Sequence, residues 1–129
     1  MTSPNLAGYK AYQTNKYQTA SPHRLILMLY NGAIQFTNNA VQAIQQKNIA
    51  ETNKWIQKTQ DIIYELLSSL NTKEGGQLAR NLQNLYFYMI DRLIEANIKK
   101  DEEPLHEVIK IIQEIKSSWE EIGRGGTLG

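Results

Sequence analysis

Residues 101–122 read DEEPLHEVIKIIQEIKSSWEEI, and in them Leu105, Val108, Ile112, Ile115, Trp119 and Ile122 recur at steps of three and four. That spacing returns an apolar residue to one face of an α-helix at every turn, and it is the cleanest such stripe in the chain. Asp101, Glu102, Glu103 and Pro104 stand just ahead of it. Acidic groups complement the positive end of a helix dipole and proline at the first helical position surrenders no hydrogen bond, so a helix starts here. Apolar alternation at period two, which a strand needs, is absent.

The same period extends upstream. A helix from about Gln77 to Lys99 carries Leu78, Leu82, Leu85, Met89, Leu93 and Ala96 on one face, with Tyr86, Ile90 and Ile94 on its flank. Gly75-Gly76 loosens the link before it. A helix from Ile49 to about Leu70, ended by Asn71-Thr72, sets Ile56, Thr59, Ile63, Leu66 and Leu70 on its seam and Trp55, Ile62 and Leu67 beside it. Asn48 with Glu51 three residues on is a variant of the capping box. Ser21-Pro22 starts the first helix, which runs to about Lys47 through Leu25, Met28, Leu29, Ala33, Phe36, Ala40 and Ile44, with Gly32 allowing a close approach.

Four helices of roughly 20 to 26 residues, each about 30 to 39 Å long and joined by short links, predict an all-α fold. The economical arrangement is an antiparallel up-down-up-down four-helix bundle with an N-terminal arm. Its divisions are an arm over residues 1–20, the bundle over 21–122, and a flexible tail, GRGGTLG, over 123–129. The arm carries Leu6, Tyr9, Tyr12 and Tyr17, an aromatic density that suits a segment lying on a surface.

Composition narrows the function. With 129 residues the chain suffices for one domain with its own core, and no cysteine is present for disulfides, thiolate metal sites or thiol nucleophiles. Its net charge of +1 argues against a nucleic-acid partner. No apolar run is long enough for membrane insertion and no charged-then-apolar leader opens the sequence, so a cytoplasmic location is expected.

Groups for catalysis are few. His23 and His106 fall in the first turns of helices one and four, which puts them at opposite ends of such a bundle, as solvated or capping residues that cannot share a metal. No cofactor, metal or catalytic residue is expected. The alternative, a histidine phosphotransfer bundle, needs a histidine on an open mid-helix face, and neither stands there. What remains is apolar surplus. Leu85-Tyr86-Phe87-Tyr88-Met89-Ile90 is six large residues in a row, Leu25 to Tyr30 is similar, and Ile109, Ile111 and Ile112 crowd helix four. One helix face buries about half of such a run, so the rest lines a partner groove or a homodimer seam.

Thr19-Ala20-Ser21-Pro22, then Leu25-Ile26, then Met28-Leu29-Tyr30-Asn31-Gly32-Ala33-Ile34 resembles the opening of the flagellar secretion chaperone family, the FliS-type flagellin export chaperones. Tyr9, Tyr12 and Asn15 resemble the family's arm. Gln60-Asp61-Ile62-Ile63 with Glu65-Leu66, Leu85-Tyr86 with Tyr88-Met89, Arg92-Leu93 with Ala96-Asn97, and Leu105 with Glu107-Val108 and Trp119 are similar to its later helices. The likeness implies a bundle that binds the disordered C-terminal segment of flagellin, blocks premature polymerisation and delivers the client to the export gate. It also implies that the arm covers part of the client surface when the client is absent. The expected client contacts are Tyr9 and Tyr12 of the arm, with Trp55, Ile62, Tyr86, Tyr88 and Ile111 of the bundle.

Overall fold

The computed structural model describes residues 21–124, so the arm with Tyr9 and Tyr12 lies outside the described residues, as do residues 125–129. Four helices follow one another: α1 (Pro22–Gln45), α2 (Ile49–Ser69), α3 (Gly76–Lys99) and α4 (Glu103–Arg124). Helix α1 packs on α2 and α4, and α3 packs on the same two, so the order around the bundle is the order in the chain. The antiparallel up-down-up-down bundle is therefore the fold.

Local chemistry sets the boundaries. The Ser21 hydroxyl accepts from the Arg24 amide at 3.2 Å, with Pro22 at the first helical position. At the other end of α1, Lys47 adopts the left-handed conformation (φ 58°), its amide reaching the Ile44 carbonyl and the Asn48 amide reaching that of Ala43. These two bonds make a Schellman closure. Asn48 then caps α2, its side-chain oxygen accepting from the Glu51 amide at 3.1 Å. Only this half of the capping box forms, because the Asn48 amide is already spent on Ala43 and the Glu51 carboxylate binds the Trp55 indole N–H instead. Lys100 ends α3 in the left-handed region too, its ammonium bonded to the Asn97 carbonyl and to Asn53 on α2.

The core combines Leu29, Ala33, Phe36 and Ala40 of α1 with Ile56, Ile63 and Leu66 of α2, Met89, Leu93 and Ala96 of α3, and Leu105, Val108 and Ile112 of α4. A Cβ on Gly32 would stand 3.1 Å from the Ile62 δ-methyl, so the absence of a side chain there lets α1 and α2 approach. Buried Thr37, Thr52 and Thr59 return their hydroxyls to carbonyls one turn back, at Ala33, Asn48 and Trp55.

Three expectations are corrected. Leu78 is 66% exposed and Ala79 takes the inward place, because the start of α3 meets the core about one residue further round than the Leu78-Leu82-Leu85 stripe supposes. The same rotation carries Tyr86 from the flank into the core, where its hydroxyl lies 2.8 Å from that of Tyr30. Helix α4 also continues through Gly123, assigned to the tail from sequence, to Arg124. Gly123 is pressed against the His23 ring, where a side chain would collide.

A lysine in the left-handed region pays a steric penalty that glycine escapes. Replacing Lys47 by Gly should raise unfolding stability by about 1 kcal/mol, read as a shift of the urea midpoint at unchanged slope. Lys100→Gly should gain less, since it also removes the ammonium contacts to Asn53 and Asn97.

Candidate functional site

The apolar run at the start of α1 and the two tyrosines that meet in the core come together at one end of the bundle. Leu25, Ile26 and Tyr30 of α1, Leu70 beyond α2, Leu82 and Tyr86 of α3 and Trp119 of α4 surround a cleft of ≈ 470 Å³. Its rim is Pro22, His23 and Ser69, so it opens where the chain enters α1. Both tyrosines deeper in it have pKa values raised by burial, so both hydroxyls stay protonated.

A reciprocal pair of bonds closes one wall. The Trp119 indole N–H donates to the His23 carbonyl at 2.9 Å, and His23 Nε2 lies 2.7 Å from the Trp119 carbonyl, which requires the proton on that nitrogen. The two rings stack at 5.1 Å with planes 9° apart. His23 is thus neither solvated nor a cap, as sequence had it, but the clasp between the start of α1 and the end of α4. His106 sits at the other end of the bundle beside Glu102, which also accepts from Gln45 near the end of α1. The histidines do occupy opposite ends. With Nε2 of one engaged and the other paired in a first turn, neither offers the open mid-helix imidazole that phosphotransfer needs.

The expected contact residues fall in three places. Trp55 and Ile62 are half-buried on α2 toward α1, the Trp55 ring 5.4 Å from Phe36 and under the Lys54 ammonium. Tyr88 is exposed on α3 and donates to Glu107 of α4 at 2.8 Å, with half-buried Ile111 one turn beyond Glu107. Tyr86 is a core residue that only the end cleft reaches. The structure therefore does not gather the five into one site. Sequence reasoning did not single out the end cleft, nor the outer line of α3, where Phe87, Ile94 and Ile98 are 50%, 42% and 77% exposed. The six-residue run containing Phe87 was the signal that part of α3 had to face outward.

Between α3 and α4 runs a polar tie. Arg92 Nε donates to Glu107 Oε1 at 2.6 Å and its other end reaches Glu95 at 3.0 Å. Hydrogen bonds from Tyr88 and then Arg92 hold the Glu107 carboxyl below the usual range, and His106 followed by Gln45 does the same for Glu102.

No group of three metal-ligating side chains occurs among the described residues, and no helix among them is long and apolar enough to cross a membrane. The class these observations define is a small four-helix bundle with large apolar side chains left exposed. A model of the family described as Flagellar protein FliS matches residues 5–125. The chain is 40% identical to the flagellar secretion chaperone FliS of Vibrio cholerae over 92% of its own length and 88% of the relative's. It is 39% identical to the FliS of Bacillus subtilis over 88% and 84% of the two chains, and 42% identical to FliSB of Pseudomonas aeruginosa over 80% and 82%. The chain belongs to the FliS family of flagellar secretion chaperones.

The lowered carboxyl pKa values make stability acid-sensitive with a definite sign. A group whose folded pKa is depressed contributes fully above its ordinary value, and the contribution disappears as pH falls through the folded one. Unfolding temperature should therefore drop between about pH 5 and pH 3, and Glu107→Gln should make that drop shallower while lowering the neutral-pH value.

Proposed function

We propose that the bundle is the cytoplasmic carrier of flagellin: it binds the disordered C-terminal segment of the client, prevents premature polymerisation and hands the client to components of the flagellar export gate. The observation that carries this reading is apolar surface left open on a molecule whose core is complete, in a chain of the flagellar secretion chaperone family. A disordered client loses chain entropy when it orders, so affinity has to come from wide apolar coverage rather than from one deep contact. Trp55, Ile62, Tyr88 and Ile111, spread over two sides of the bundle, suit a client that wraps, and Tyr86 would be met through the end cleft.

The arm over residues 1–20, with Tyr9 and Tyr12, comes two residues before Pro22 at the rim of that cleft, and in this reading it competes with the client. A homodimer seam is the competing use of the same surface.

Calorimetry with flagellin should give a clearly negative heat-capacity change, and flagellin lacking its C-terminal segment should fail to bind. Equal affinity for the two forms contradicts the proposal. Deleting residues 1–18 should leave the bundle folded and tighten binding, because a competing contact is removed. Weaker binding after deletion would make the arm part of the site.

A further inference from the structure

The outward line of α3 is Phe87, Asp91, Ile94 and Ile98, at steps of four, three and four. Successive members lie within about 60° of one another around the helix, so they form one strip parallel to its axis. Three are large apolar residues held in water, and the fourth is a carboxylate between the first two of them. The other charges of α3 are all engaged: Arg80 with Gln77, Arg92 with Glu107 and Glu95, Lys99 with Glu95. Asp91 has no hydrogen-bond or ion-pair partner among the described residues.

An apolar strip alone accepts any apolar helix. A carboxylate set into it does not, because covering it with hydrocarbon strips its water and returns nothing, a penalty that only a cation or a hydrogen-bond donor offsets. The carboxylate thus works against the wrong partners as much as for the right one. It also works against a second copy. A two-fold pairing of this strip centred on its apolar residues brings the two Asp91 carboxylates within a turn of each other, where like charges repel.

We propose that the outer face of α3 docks an amphipathic helix whose apolar residues repeat at three- and four-residue steps and which carries a Lys or Arg opposite Asp91. This deepens the reading above and rests on it: the helix is a segment of the client that orders on binding. The Lys or Arg fixes its register, with Phe87 on one side of the ion pair and Ile94 and Ile98 on the other.

The test uses the full chain with the flagellin C-terminal segment as titrant, for the parent and for Asp91→Leu, Asp91→Lys and Ile98→Glu. Both positions are exposed, so the three variants should keep the parent's unfolding temperature within a few degrees, checked by circular dichroism. Binding should weaken about tenfold or more for Asp91→Lys and for Ile98→Glu, and also weaken for Asp91→Leu although that change adds apolar area. The salt dependence of parent affinity should flatten in Asp91→Leu and turn toward the opposite sign in Asp91→Lys, where like charges meet. Tighter or unchanged binding by Asp91→Leu, with a parent that binds, overturns this inference and leaves the flagellin reading standing. A parent that does not bind the segment overturns both. A parent that sediments as a dimer and that Ile98→Glu makes monomeric gives the face to a second copy, and this too overturns it.

Discussion

Each helix of a four-helix bundle can turn only an arc of its circumference toward the core, and this chain carries more large apolar side chains than four such arcs hold. The run from Leu85 to Ile90 makes the limit visible: Tyr86, Met89 and Ile90 are buried, Leu85 is half-buried, and Phe87 and Tyr88 are in water. No rotation of α3 would bury all six. The surface so left is a consequence of helix geometry, and its persistence requires that the bundle hold together without it.

It is held at its ends and along one seam. At one end the His23–Trp119 clasp joins the start of α1 to the end of α4, and Gly123 leaves room for the imidazole. At the other, Gln45 and His106 converge on Glu102. Between α3 and α4, Glu107 gathers Tyr88 and Arg92. Buried hydroxyls are satisfied within their own helices or by each other, and no buried side-chain nitrogen or oxygen among the described residues lacks a partner. A scaffold with its polar groups settled can leave Ile98 and Phe87 exposed without rearranging to cover them.

Much of this was legible in the sequence because it depends on local rules. Ser21-Pro22 and Asn48 mark helix starts by the chemistry of their own side chains, and the α4 stripe from Leu105 to Ile112 is inward as its period requires. The rest depends on partners distant in the chain. Whether Leu85 or Tyr86 faces inward turns on one residue of rotation, and the hydroxyl of Tyr30, 56 residues away, favours Tyr86. His23 read as a capping or solvated residue because its stacking partner is 96 residues further on. The end cleft is assembled by all four helices and the segment after α2, so no single periodicity could announce it.

In the proposed function the core stays as it is while the outer apolar surface receives the client. Methyl-resolved nuclear magnetic resonance of the isoleucines, with a soluble paramagnetic agent, reads both halves at once. Free, Ile94 and Ile98 should relax strongly and Ile56, Ile63 and Ile112 hardly at all. With the flagellin segment bound, Ile94 and Ile98 should become shielded and shift while the three core methyls keep their positions. Core methyls that shift while Ile98 stays accessible would mean that the client enters by opening the bundle and not by docking on its outer surface.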